Sequence, residues 1–125
     1  MGRLTTGRQV MQTGEVWVAF LDPAIGHEQQ GRRPVIIVSG EELNLIPSEL
    51  VLIVPATSTN LRVAPHVPIE MAEGHLPRPS WAMSEQLRSV SHQRLRRRIG
   101  LVESSTLELV LHRICLFLDV AYPEL

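Results

Sequence analysis

A chain of 125 residues with 44% apolar side chains is long enough to bury one core and too short for two. No apolar run approaches membrane-spanning length, Arg3 and Arg8 have no apolar stretch behind them, and Cys115 is the only cysteine; these exclude a spanning helix, an internal disulfide and a cysteine metal cluster, and a cytoplasmic chain is expected. The net charge of −1 argues against a surface coated in positive potential, yet all twelve basic residues are arginine, and Arg32 with Arg33 and Arg94 with Arg96, Arg97 and Arg98 form clusters. Codon bias of a GC-rich genome is the simpler account of that choice. A local basic groove would still arise if the fold brought the two clusters to one face.

In chain order, residues 1–12 lack hydrophobic periodicity and read as a flexible extension, leaving 13–125 as the domain. Residues 15–21, 35–38 and 50–54 are nearly all apolar or small. Continuous runs of this kind predict strands covered on both faces, as in a small closed barrel or a strand-crossing sandwich. Residues 66–70 and 81–90 predict two further strands, the first broken by Pro68 and therefore expected at an edge, and 72–80, with Gly74, Pro77 and Pro79, predict the loop between them. The last element is a helix. Ser105 and Glu108 have the spacing of a capping box, and Leu107, Val110, Leu111, Ile114 and Leu118 recur at steps of three and four. Cys115 within it reads as packing. Leu109, Leu116 and Phe117 fall off that stripe; a partner surface or a wide core contact would use them.

Between the first two strands runs the polar loop Gly26-His27-Glu28-Gln29-Gln30-Gly31-Arg32-Arg33-Pro34, whose proline fixes where the next strand begins. It places a carboxylate, an imidazole and two guanidiniums together. Arginine offers a rigid fork of donors to phosphate oxygens, and a nearby carboxylate or imidazole can take a proton from a hydroxyl, so the loop has the groups for phosphodiester cleavage. The bland alternative is a solvated hairpin loop. His66, His75, His92 and His112 lack the i, i+4 spacing of a helical metal pair, no aspartate cluster accompanies them, and no GxGxxG or Walker string occurs, so neither a metal nor a nucleotide cofactor is expected.

Read with Gly14-Glu15-Val16-Trp17 before it, Asp22-Pro23 leading in and Val35-Ile36-Ile37-Val38-Ser39 after it, this loop resembles the opening of the MazF/PemK toxin family, small ribosome-independent endoribonucleases called mRNA interferases. The resemblance continues through Val54-Pro55-Ala56-Thr57-Ser58 and Ser84-Glu85-Gln86-Leu87-Arg88-Ser89-Val90, with Arg94-Leu95 and Ile99-Gly100 behind them, and covers residues 14–118. It implies a mainly β fold, a small SH3-like β-barrel of the CcdB/MazF toxin type with a C-terminal α-helix, assembled as a homodimer. It also implies sequence-specific, metal-independent cleavage of single-stranded RNA through 2′-hydroxyl attack, giving a 2′,3′-cyclic phosphate and a 5′-hydroxyl. A cognate antitoxin with an acidic C-terminal segment would neutralise it.

Carried over position by position, the resemblance assigns catalysis to Arg33, as acid or phosphate stabiliser, to Glu28, the loop carboxylate, and to Thr57 at the third strand end. RNA contact falls to His27, Gln29, Gln30, Arg32, Ser58, Glu85, Gln86 and Arg88. Glu85 is a candidate second base; some members place an acidic residue there with an arginine two residues upstream, where this chain has Met83. Each assignment has a plainer rival; for Glu28 it is an exposed ion pair with Arg32, worth about 0–1 kcal/mol. Two other classes compete. A gyrase-poisoning barrel like CcdB depends on a Trp-Gly-Ile-like C-terminus, where this chain has Ala121-Tyr122-Pro123-Glu124-Leu125, and a catalytically silent paralogue would only bind RNA or antitoxin.

Overall fold

The computed structural model describes residues 11–23, 25–28, 31–62 and 65–123. Seven strands form one curled antiparallel sheet, and a C-terminal helix closes one face. In chain order the strands are β1 (Glu15–Phe20), β2 (Arg32–Ile37), β3 (Leu50–Thr57), β4 (Val67–Ile69), β5 (Ser80–Ala82), β6 (Arg88–Ser91) and β7 (Leu95–Leu101), with helices α1 (Glu41–Asn44), α2 (Met71–Gly74) and α3 (Ser104–Leu118). The strands lie in the order β4-β5-β3-β2-β1-β7, and β6 pairs with the first half of β3.

The continuous apolar runs are explained by two cores, one on each face of the sheet. Val16, Ile36, Val54 and Ala56 pack with Val110 and Ile114 of α3 in the first. Trp17, Ala19, Leu21, Val35, Ile37, Ile53 and Val90 fill the second. Because side chains alternate, neighbours such as Ile36 and Ile37 serve different cores and neither position can be polar; full burial of each contributes about 1.5–3 kcal/mol. The strand broken by Pro68 is β4, and it does lie at the sheet edge.

Several expectations are corrected. The second strand starts at Arg32, two residues before the proline, because Phe20 and Ala19 of β1 pair with Arg32 and Arg33. Residues 81–90 are not one strand. β5 pairs with the second half of β3 and β6 with the first, so the chain must step from one partner position to the other, and a 3-10 turn at Ser84–Gln86 makes the step. β7 went unread because Arg96, Arg97 and Arg98 are all exposed and mask its period.

The segment 72–80, expected as a loop, overlaps α2, where Glu70 and Glu73 form a capping box; the box expected at Ser105 and Glu108 does not form, because Ser105 lies inside α3. At α3 the cap position is Glu103, whose side chain caps nothing; Glu73 instead accepts the Glu103 N–H at 2.8 Å and the Thr106 hydroxyl at 3.1 Å. Leu118 is exposed, so the buried stripe of α3 ends at Ile114. In α1, buried Asn44 donates to the carbonyls of Met11 and Ser39 at 3.0 and 2.9 Å. Met11, inside the extension expected over residues 1–12, is buried in the second core, and residues 1–10 lie outside the described residues.

Candidate active site

The β1–β2 loop closes on itself at its base. Leu21 N–H donates to the Gly31 carbonyl at 2.9 Å, and Gly31 N–H donates to Asp22 Oδ1 at 3.0 Å. Gly31 has φ +79°, a left-handed backbone that a side chain would strain. Three side chains from further along the chain hold the loop. Gln86 Nε2 donates to the His27 carbonyl at 3.1 Å, Arg88 Nη1 to Leu21 at 3.4 Å, and Arg94 Nη1 to the carbonyls of Phe20, at 3.3 Å, and Asp22. Glu28 turns onto its own loop, where Oε1 accepts the Ile25 N–H at 2.7 Å. It makes no ion pair with Arg32, whose guanidinium stands over Phe20 instead. Gln29 and Gln30 lie outside the described residues.

Beneath the loop, sheet register decides which side chains meet. β2 and β3 pair Val35 with Pro55, Ile36 with Val54 and Ile37 with Ile53; continued two residues past the last bonded pair, the register sets Thr57 across from Arg33. Alternation puts both on the face of the second core, since Val35, Ile37 and Ile53 belong to it. Arg88 pairs with Ile53 and so shares that face. Arg33, Thr57 and Arg88 thus lie on one face of the sheet; Arg88 stands opposite Ile53, along β3 from Thr57, and its guanidinium reaches the Leu21 carbonyl at the base of the loop. Thr57 is buried, and its Oγ1 accepts the Thr59 N–H at 3.1 Å, which leaves the hydroxyl proton to donate elsewhere. Ser58, one residue on, is exposed.

Glu85 stands on the 3-10 turn and pairs with His66, Nε2 to Oε2 at 2.7 Å; the His66 side chain is 3% exposed and its Nδ1 has no hydrogen-bond partner among the described residues. The sequence reading missed His66 because it lies 19 residues from Glu85, with no spacing signal to join them. The Met83 side chain is fully buried and its N–H donates to the Pro55 carbonyl at 2.9 Å. The Arg94 to Arg98 cluster divides. Arg94 holds the loop, Arg98 Nε pairs with buried Glu15 at 3.1 Å, and Arg96 joins Arg32 over Phe20. Among the described residues no three His, Cys, Asp or Glu side chains converge at metal-ligand spacing.

Residues 12–118 match the family described as PemK-like, MazF-like toxin of type II toxin–antitoxin system. The chain belongs to this family. It is 34% identical over 116 residues to the endoribonuclease MazF9 of Mycobacterium tuberculosis, covering 89% of this chain and 98% of that protein. It is 28% identical over 102 residues to the endoribonuclease EndoA of Bacillus subtilis, covering 81% of this chain and 88% of the relative. Among solved structures, MazF of Deinococcus radiodurans superposes with a TM-score of 0.80 at 23% identity, over 90% of this chain and all of that one. A mycobacterial endoribonuclease in complex with its cognate antitoxin superposes at 0.73 with 17% identity, over 93% of this chain and all of that one. Those two likenesses establish the fold: a MazF-type half-barrel with a C-terminal helix.

Proposed function

We propose that this chain is an endoribonuclease toxin that cuts single-stranded RNA and is neutralised by a cognate antitoxin. The observation that supports the reading is that Arg33, Thr57 and Arg88 share one face of the sheet on the side of a tethered loop, in a chain of this family. The gyrase-poison alternative is not favoured.

In this reading the scissile phosphate lies against Arg33. Arg33 and Arg88 present planar forks of donors to the phosphoryl oxygens and stabilise the charge that builds there, and the Thr57 hydroxyl adds a third donor. Glu28 keeps one oxygen on the Ile25 N–H and offers the other to the substrate's 2′-hydroxyl. The 2′-oxygen bonds to phosphorus as its proton passes to Glu28, the phosphorus–O5′ bond breaks, and the departing O5′ takes a proton from water. The products are a 2′,3′-cyclic phosphate and a 5′-hydroxyl, and no step calls on a metal. His27, Arg32, Ser58, Glu85 and Gln86 contact the flanking nucleotides. The reaction takes place in the cytoplasm, where the RNA is. The test is incubation of the purified chain with a long, weakly structured RNA in EDTA, with ends mapped by primer extension. Discrete cuts bearing 5′-hydroxyls are expected; cleavage that requires added Mg²⁺ would contradict the mechanism.

The same reading makes the protein a homodimer whose arginine-lined groove takes either RNA or an acidic antitoxin segment. Exposed Leu109, Leu116, Phe117 and Leu118 on α3 support the dimer, since a lone half-barrel leaves them in water.

A further inference from the structure

A second group of arginines collects away from the Arg33 face. In the β1–β2 register Arg33 pairs with Ala19 but Arg32 pairs with Phe20, so consecutive arginines leave opposite faces of the sheet. Phe20 is 38% exposed. The Arg32 guanidinium lies 5.7 Å from its ring centroid and that of Arg96 lies 5.0 Å away. Arg94 enters the same place from the β6–β7 connection, held by the carbonyls of Phe20 and Asp22. Phe20, Asp22, Ser91, Gln93, Arg94 and Arg96 line a groove of about 530 Å³. That volume falls in the range of about 300–1,000 Å³ that holds small-molecule-sized groups.

Charge in this groove is unbalanced. Three guanidiniums meet one carboxylate, Asp22, which already accepts the Gly31 N–H, and neither Arg32 nor Arg96 has an ion-pair partner among the described residues. Cation–π contacts at exposed positions are weak and easily exchanged. The site therefore offers forks for a phosphate, a ring and guanidinium planes for a flat group to stack on, and the Ser91 hydroxyl and Gln93 amide for polar edges. An acidic peptide would use the forks but not the ring. A nucleotide uses both.

We propose that this groove binds a nucleotide of the substrate RNA outside the cleavage position, its phosphate on Arg94 and Arg96 and its base against Phe20. The inference rests on the endoribonuclease reading and adds a subsite to it: Arg32 and Arg33, adjacent on β2, link the two places on one strand of RNA. Stacking on an aromatic ring accepts any base, so the groove contributes affinity for RNA in general and leaves the choice of cleavage sequence to the loop.

The test compares Phe20→Leu and Arg96→Ala with the unaltered full chain. Binding is measured by fluorescence anisotropy with a 20-nucleotide, mixed-sequence 2′-O-methyl RNA, which lacks the nucleophile and cannot be cut. Both variants should bind about 5- to 50-fold more weakly, and Arg96→Ala should flatten the slope of log K against log salt by about 0.7, the contribution of one phosphate contact on a single strand. Saturating turnover of a long cleavable RNA should stay within twofold, because neither residue touches the reacting phosphate. Unchanged affinity for the 2′-O-methyl RNA would overturn the proposal, as would a loss confined to a poly-glutamate peptide, which would give the groove to an acidic polypeptide. Groove-dependent binding by a protein that cuts no RNA would uphold the groove and refute the nuclease reading, and cleavage with groove-independent binding would do the reverse.

Discussion

Arg33 derives its position from the sheet. It is a strand residue paired with Ala19, so its backbone is held by β1 while its side chain is aimed by alternation toward the face that Thr57 and Arg88 share. Replacing a positioned transition-state donor costs about 10²–10⁴ in rate; Arg33→Ala should lose that much with its thermal midpoint little changed, and Arg33→Lys should recover only part, since it keeps charge without the planar fork. Glu85→Ala should behave differently. It strips the Nε2 partner from a buried histidine whose Nδ1 has none among the described residues, so it should cost about 1–3 kcal/mol of stability in urea unfolding, with Glu85→Gln recovering most of it. Full stability with abolished cleavage in Glu85→Ala would move the chemistry to the 3-10 turn. Arg33, Thr57 and Arg88 were legible in the sequence as members of family-like strings, but their shared face was not, because it depends on two registers that no local pattern states. The opposite exits of Arg32 and Arg33 were hidden for the same reason, since both had been placed in a loop.

Elements with one strong period were readable, and those with mixed duties were not. The apolar runs became β1, β2 and β3, and the three- and four-step pattern became α3. β7 was missed because its job is to carry Arg96, Arg97 and Arg98 outward while pairing with β1 through two register shifts. α2 was missed because four residues carry no period; it exists to present Glu73 to the start of α3 and to sit against β7. Its contact with β7 is so close that a Cβ on Gly100 would stand 2.6 Å from the carbonyl carbon and oxygen of Gly74, backbone that cannot swing aside. Gly100→Ala should therefore destabilise by about 1–3 kcal/mol, lowering Tm on the order of 5–15 °C. Gly40→Ala, where the added Cβ meets nothing within 4 Å, should change stability by less than about 1 kcal/mol. Equal effects of the two would show that β7 and α2 are not pressed together.

At the scale of the whole molecule, a chain with net charge −1 meets an anionic polymer by sorting its arginines rather than by accumulating them. Arg98 is committed to Glu15, Arg94 uses one nitrogen to hold the loop's carbonyls, Arg33 and Arg88 share one face, and Arg32 and Arg96 lie on the other side of the β1–β2 pair. Composition could count these residues but could not sort them. The exposed leucines of α3 point to a partner, so light scattering at micromolar concentration should give twice the 14.0 kDa chain mass, and Leu116→Glu should shift it toward monomer; a monomeric unaltered protein would remove the dimer. The mechanism itself turns on one atom, the 2′-oxygen of the nucleotide before the cut. Once a cut has been mapped, two oligonucleotides that differ only by a 2′-deoxy substitution at that nucleotide can be compared under single-turnover conditions in EDTA. The all-ribose strand should be cut to a 2′,3′-cyclic phosphate and the substituted strand should stay intact at that bond, whereas cleavage of both at similar rates would mean that the nucleophile is water and that the arrangement of Arg33, Thr57 and Arg88 serves a different reaction.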